Sequence, residues 1–224
     1  LRGNTPLASL SIMFKQPKAR LFLLTLALTG LANGVMQCTW ALYTEFRYGF
    51  TPLQIGLSVF ALGLSISLVQ GFLLQRLLAR LDSVLIAVLA IACGALCLAA
   101  IGLTTSGAAA TAFVCLYAVS GAVSPLLTAA ISRETPLDAQ GKAIGSVSSL
   151  NSLTGALAPA LGTPLLMVTT NHAPEEFLAG TPYFVCAMLS ALALILFIAG
   201  ARRLWSKAPA PVKNAEGETS GFEE

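Results

Sequence analysis

Three side chains able to hold a polar molecule sit at helical spacing in the first long apolar run. Asn33, Gln37 and Trp40 fall at i, i+4 and i+7, with Gly30 one turn before. That spacing places them on one face of a helix. An amide offers donors and an acceptor together, and it is costly in hydrocarbon unless paired. The face therefore points into a bundle as part of an interhelical hydrogen bond, or into a wet cavity. Spacing alone leaves both readings open. A milder polar face follows later, made of Tyr117, Gly121, Ser124 and Thr128, with Pro125 inside the same run. A proline within a helix frees a carbonyl and bends the axis. Asn151 stands in a third polar-flecked run.

Reactive chemistry is sparse. No Asp, Glu, Lys, Arg or His lies at the centre of an apolar run, so the groups an intramembrane protease would need are missing there. The GxxxxGK[ST], GxGxxG and GxSxG patterns do not occur, which argues against a nucleotide site or an esterase elbow. Cys93 and Cys97 are four apart with no histidine nearby, and with Cys38, Cys115 and Cys186 they read as small buried hydrophobes rather than metal ligands. The lone histidine, His172, sits beside Glu175 and Glu176 and reads as solvated surface. No enzyme, metal or cofactor is expected, and a selective ion channel is disfavoured by the lack of a filter loop or charge ring.

The elements that must position the polar faces are membrane helices. Of 224 residues, 56% are hydrophobic and only 10% charged, with mean hydropathy +0.79. Soluble domains carry about 25% charged residues. The class is thus an all-α integral membrane protein. Six runs of spanning length are readable: Leu21–Tyr43, Leu53–Leu74, Val84–Leu103, Ala108–Ile131, a fifth from the Gln140 region to Val168, and Thr181–Ala201. Thr51 is placed to cap the second run, with Pro52 in its first turn. The third and sixth runs are apolar on all sides and read as lipid-facing or scaffold helices. Residues 1–20 read as a cytoplasmic linker, with Met13 and Phe14 dipping into the interface. Residues 21–203 form the six-helix domain. Arg202, Arg203, Trp205 and Lys207 read as an interfacial anchor, and 204–224 as a disordered cytoplasmic tail. Of the 13 Lys and Arg, every one but Arg47 falls in segments on one side of the membrane. That bias predicts both termini in the cytoplasm. The net charge of +3 speaks to orientation and not to nucleic acid. The chain starts at Leu1 without a signal peptide, and is expected to be part of something longer.

The segment from Gly121 to Pro159 joins two of these helices through a charged loop holding Arg133, Glu134, Asp138 and Lys142. On the helix that follows, Gly141, Gly145, Ser148, Ser152, Gly155 and Pro159 form one stripe. Small residues let helix backbones approach closely in lipid, so this helix is expected to slide against a neighbour, to line a space between helices, or to pack tightly as structure. The GxxxG pairs Gly30/Gly34 and Gly141/Gly145 carry the same limited message.

Local motifs then carry a family likeness. Phe46-Arg-Tyr-Gly-Phe-Thr51 followed by Ile55-Gly56-Leu57, and Gly121, Pro125, Ser132-Arg133, Gln140-Gly141, Gly145, Gly155 and Pro159, resemble the C-terminal six-helix half of a major facilitator superfamily transporter. The likeness is greatest to the tetracycline-resistance type of drug–proton antiporter and covers about Leu21 to Arg203. The family's loop motif Gly-x-Leu-x-Asp-Arg-x-Gly-Arg-Arg survives only as Gly71, Leu73, Arg76 and Arg80; Gln75 replaces its aspartate and Leu78 its second glycine. The resemblance implies that the six spans are helices 7 to 12, with 7, 8, 10 and 11 bordering a cavity and 9 and 12 facing lipid. It makes Asn33, Gln37, Trp40, Tyr117, Ser124 and Asn151 candidate cavity residues. Gly121, Pro125, Gly141, Gly145, Gly155 and Pro159 become packing or gating positions, and Arg76, Arg80 and Arg133 a cytoplasmic loop set. The implied partners are a bulky, mostly apolar small molecule, the lipid bilayer, and an N-terminal six-helix half from the same chain or another. The implied activity is proton-coupled efflux by alternating access in a bacterial inner membrane. The competing reading is a stand-alone six-span protein with a structural or regulatory role.

Overall fold

In the computed structural model, which describes residues 17–136 and 139–205, six helices are long and apolar enough to cross a membrane, and the described residues contain no strand. The protein is an all-α membrane protein. We number the helices α1 (Pro17–Tyr48), α2 (Pro52–Leu78), α3 (Ser83–Leu103), α4 (Gly107–Glu134), α5 (Gln140–Thr170) and α6 (Thr181–Trp205). Helix α1 already includes Pro17–Arg20, so the expected linker is shorter than residues 1–20. Residues 1–16, with Met13 and Phe14, and residues 206–224, with Lys207, lie outside the described part, as does Asp138.

Two helices are interrupted. Helix α2 is α-helical over Pro52–Leu68, π-helical over Val69–Leu73 and α-helical again over Leu74–Leu78. Helix α4 is α-helical over Gly107–Tyr117, tightens to a 3-10 segment over Ala118–Ala122, and resumes over Val123–Glu134. The α1–α2 turn closes on Gly49, whose φ of +64° suits a residue without Cβ. Thr51 caps α2 as expected, in a reciprocal capping box with Gln54, and Pro52 occupies the first turn.

Helix α1 packs against α5 and α6, while α3 packs against α6 and α4. One core lies toward the Arg76 and Arg133 end, around Phe22, Leu23, Ile91, Leu127 and Phe197. Phe22 and Phe197 meet at 6.3 Å between ring centroids. A second core lies toward Arg47, around Met36, Trp40, Tyr43, Leu98, Ile101 and Tyr183. Lipid is as apolar as these side chains, so what holds them is dispersion at close range more than escape from water.

Close range requires small residues at defined crossings. A Cβ added to Gly34 would stand 2.7 Å from the Ala158 Cβ. At Gly162 it would stand 2.9 Å from the Cys38 sulfur, and at Gly94 it would stand 2.8 Å from the Ser120 Cβ. On α5 the packed face therefore carries Ala143, Val147, Leu150, Thr154, Ala158 and Gly162, all buried. The stripe singled out in the sequence is the other face: Gly141, Gly145, Ser148, Ser152, Gly155 and Pro159 are exposed. Nothing lies within 4 Å of a Cβ built at Gly141, Gly145 or Gly155. As packing positions within this chain, they are corrected by Thr154, Ala158 and Gly162. The latter set pairs small size with apolar bulk on neighbouring turns, which supplies contact area as well as close approach.

The purely apolar helices also differ from a simple lipid-facing picture. Helix α3 buries Ile86, Ala90, Ile91, Gly94, Leu98 and Ile101 and exposes Leu85, Leu89, Leu96 and Leu103. It is a scaffold helix with one outward face. Helix α6 behaves alike, with Tyr183, Cys186, Ala193 and Phe197 inside and Met188, Leu192 and Ile195 outside. The most open helix is α2, where Ser58 and Leu74 are the buried residues. The cysteines divide similarly. Cys97 and Cys186 are buried, Cys93 and Cys115 half-buried, and Cys38 is exposed, so the reading of all five as buried hydrophobes fails at Cys38.

Candidate substrate cavity

The midpoints of all six helices surround one cavity of about 460 Å³. Helix α1 contributes Leu26, Thr29, Gly30, Asn33, Gly34 and Gln37 to its wall. Ile66 and Gln70 come from α2, Ile91 and Gly94 from α3, and Ser190 from α6. Helix α4 supplies Tyr117, Ser120, Gly121, Val123 and Ser124, and α5 supplies Asn151, Thr154 and Gly155. Among the described residues, the wall has no Asp, Glu, Lys, Arg or His.

Five sequence candidates, Asn33, Gln37, Tyr117, Ser124 and Asn151, thus share one wall. The Tyr117 hydroxyl donates to Asn33 Oδ1 at 3.4 Å, linking α4 to α1 across it. The hydroxyls of Thr29 and Thr154 are spent on their own helix, donating to Thr25 and Leu150 carbonyls at 2.8 Å and 3.1 Å. Hydrogen-bonding capacity toward the cavity therefore rests with the amides, the Tyr117 phenol and the hydroxyls of Ser120, Ser124 and Ser190. Leu26, Ile66, Ile91 and Val123 supply apolar surface between them. Such a wall can orient an uncharged or delocalised organic molecule through a few polar contacts, and it has no fixed charge with which to select an ion.

The sixth candidate, Trp40, does not reach this wall. It is buried, its indole Nε1 donates to Ser58 Oγ at 2.9 Å, and its ring meets Tyr183 edge-on at 6.2 Å. Two turns along α1 from Asn33, the bundle is already closed by aromatic packing, so a shared helical face does not mean a shared cavity. The bond to Ser58 ties the N-terminal half of α2 to α1.

Sequence reasoning passed over Gln70 as a site residue. Its Nε2 donates to the Gly121 carbonyl at 3.3 Å while the side chain lines the cavity. The signal available was its amide, at the far end of a run already marked by Ser58 and Ser65.

Of the remaining candidates, Gly121 and Gly155 line the cavity and the others lie away from it. Pro125 and Arg133 border a separate groove of about 780 Å³ with Asp82, Leu78 and Phe197. Arg76 and Arg80 are exposed at the end of α2 and the turn after it. Pro159 lies along a third groove with Cys38, Glu45 and Phe46. Among the described residues, no three His, Cys, Asp or Glu side chains gather as a metal site would require.

Arg47 was counted in the sequence as a loop charge. It is instead 7% exposed. Its guanidinium donates to three backbone carbonyls: Nε to Thr104, one terminal nitrogen to Glu176 and the other to Gly102, each at 3.1 Å. It also lies 5.9 Å from the Tyr43 ring centre. Gly102 and Thr104 stand at the C-terminal end of α3, where unpaired carbonyls concentrate negative potential. Glu176 in turn holds His172, through Oε2 at 2.9 Å from Nδ1.

With this geometry in hand, comparison with known proteins is informative. The family model described as Major Facilitator Superfamily matches residues 2–159. The class C tetracycline resistance protein of Escherichia coli is 29% identical over 178 residues, which is 80% of this chain and 43% of that protein. The class B tetracycline resistance protein of Escherichia coli is 28% identical over 122 residues, 54% of this chain and 30% of that protein. The chain thus spans less than half the length of these curated relatives. No solved structure matches it significantly.

Proposed function

Because the chain belongs to the major facilitator superfamily, we propose that it is the C-terminal half of a secondary transporter that exports a drug-like small molecule. The carrying observation is the uncharged, amide-lined cavity at the midpoint of all six helices. Substrate sites in such transporters lie at midplane depth between two halves. The relatives named for tetracycline resistance support a bulky, multiply functional organic substrate, for which Asn33, Gln37, Asn151 and Tyr117 offer spaced donors and acceptors. The open small-residue stripe on α5 and the bare faces of Gly56, Gly63 and Gly71 on α2 are surfaces against which a second six-helix half would close.

Proton coupling requires a titratable group in the substrate path. This cavity supplies no carboxylate or imidazole, so the coupling group belongs to the other half. The distribution of Lys and Arg favours both termini in the cytoplasm of a bacterial inner membrane, with the Arg47 end outward. The protein then has a carrier role and no catalytic one.

Two experiments test this reading. In a transporter containing both halves, Gln37→Ala alters substrate range or rate while membrane insertion persists; unchanged transport counts against the cavity assignment. An antibody against Pro209–Glu224 should detect a native polypeptide about twice the 23.2 kDa of this chain in source membranes. A band near the calculated mass would require self-assembly or a separate partner half, and would move the structural reading ahead.

A further inference from the structure

The cavity wall continues along α1 and α5. Beyond Gln37 the exposed residues of α1 are Cys38, Ala41, Leu42 and Glu45, a continuous strip. Cys38, Leu42 and Glu45 follow at i, i+4 and i+7 and share one face. On α5, Gly155 lines the cavity, and Pro159, one turn on, lines a groove of about 570 Å³ together with those three residues. Cavity and groove thus adjoin at Gln37 and Cys38 on one helix and at Gly155 and Pro159 on the other.

The groove differs from the cavity in carrying a charge. Leu42, Phe46, Leu166 and Met167 give it apolar walls. The hydroxyls of Thr39, Thr169 and Thr170 are spent on carbonyls of their own helices at 2.8, 3.1 and 3.1 Å. The carboxylate among the lining groups is that of Glu45, in the last turn of α1 and exposed to the groove. Arg47 does not neutralise it, because its guanidinium is buried and held by three carbonyls. Among the described residues Glu45 takes part in no ion pair. An anion at the edge of hydrocarbon attracts a cation more strongly than it would in bulk water. Phe46 and Met167 add polarizable surface that suits a large, weakly hydrated cation. The volume is that of a drug-sized site and exceeds what one side chain would fill.

We propose that the α1/α5 groove is a second binding site, for an amphipathic organic cation, in which Glu45 selects the charge. A protonated or quaternary amine with aromatic or alkyl bulk is the class it takes. A substrate leaving the uncharged cavity toward the Arg47 end meets this carboxylate about 12 Å beyond Gln37, at 1.5 Å of helix per residue. The cavity accepts neutral and cationic molecules alike, and the groove favours the cationic ones. The place of the groove in transport rests on the reading of the cavity given above; its preference for cations does not.

The test is equilibrium binding to the purified chain in detergent, with two probes of like size and shape and opposite charge, tetraphenylphosphonium and tetraphenylborate. The quantity read is the ratio of their dissociation constants, compared between wild type and variants so that partition into detergent cancels. Glu45→Gln keeps the size of the side chain at an exposed position and should leave the fold intact, which an unfolding curve checks. It should shift the ratio against the phosphonium by roughly fivefold. Glu45→Asp should keep most of the wild-type ratio. Met167→Trp, which fills the groove, should weaken both probes. A ratio unchanged by Glu45→Gln overturns the proposal, and so does phosphonium binding that Met167→Trp leaves intact, since the cation then sits outside the groove. In a complete transporter, Glu45→Gln should slow export of a cationic substrate relative to a neutral one. If phosphonium binding to the complete transporter is independent of Glu45, a basic side chain of the other half takes the carboxylate and the site for a small molecule is overturned. If no form of the protein transports at all, the transport reading fails, while the binding ratio in the isolated chain still decides the groove.

Discussion

Arg47, in the last turn of α1, donates to the carbonyl of Gly102, in the last turn of α3, at 3.1 Å, and the same guanidinium reaches Thr104 and Glu176. One side chain thereby fastens α1, the end of α3 and the loop before α6. Replacing it with methionine leaves three carbonyls to find other donors. Hydrogen bonds to a charged group are worth roughly 1.5–3 kcal/mol each and do not add fully. Arg47→Met is expected to destabilise the chain by about 3 kcal/mol in thermal unfolding. Arg47→Lys should restore only part of this, because an ammonium has no planar fork with which to span three acceptors.

Gly34 and Gly145 belong to two small-residue patterns that look alike on paper and meet different surroundings. A methyl at Gly34 would overlap Ala158, so Gly34→Ala is expected to cost about 1–3 kcal/mol. A methyl at Gly145 meets nothing, so Gly145→Ala should leave the isolated chain unchanged or stabilise it by up to about 1 kcal/mol. Paired unfolding curves in detergent check both. If the α5 stripe seats a second half, Gly145→Ala impairs activity of the complete transporter despite its stable fold.

Trp40 and Ser58 separate structural from substrate roles on α1. Ser58→Ala leaves a buried indole N–H without its partner and should cost about 1–3 kcal/mol. Substrate range should not change, in contrast to Gln37→Ala on the cavity wall. A panel of substrates assayed with both variants reads the difference.

Cys38 is exposed, whereas Cys97 and Cys186 are buried. A thiol reagent applied to the folded chain should modify Cys38 first, leaving Cys97 and Cys186 unmodified until the protein unfolds. Mass spectrometry of the labelled peptides, with Cys38→Ser as the control, makes this measurable. Labelling of Cys97 at the rate of Cys38 would contradict the α3 packing described above.

The six spans, their order and the cap at Thr51 were legible because they depend on local hydropathy and on residues within one turn. The Asn33 and Gln37 face was legible for the same reason, since helical spacing alone brings these two amides together. Trp40 shows where that logic stops: its spacing is right, but Ser58 and Tyr183 claim it, and both come from elsewhere in the chain. The choice between the two small faces of α5 also depended on a distant helix, because only the position of Gly34 decides that Ala158 is covered and Gly155 is not. Arg47 was hidden by its place in a short loop-like segment. Its flanking aromatics, Tyr43 and Tyr48, were the available sign of burial. The Gln70–Gly121 bond was not legible because its partner comes from a helix about 50 residues further along the chain.

The pairing of Phe22 with Phe197 has a bearing on biosynthesis. Of the six helices α1 is made before the other five, yet the face that receives Phe197 stays uncovered until α6 has been made. Contacts between the ends of a chain close its largest loop and are slow to form. The Phe22 face of α1 therefore stays open to later packing while the intervening helices are inserted. Products truncated before α6 would lack the element that packs against both α1 and α3. Insertion of α6, rather than of any earlier helix of the six, completes the packing around α1 and α3.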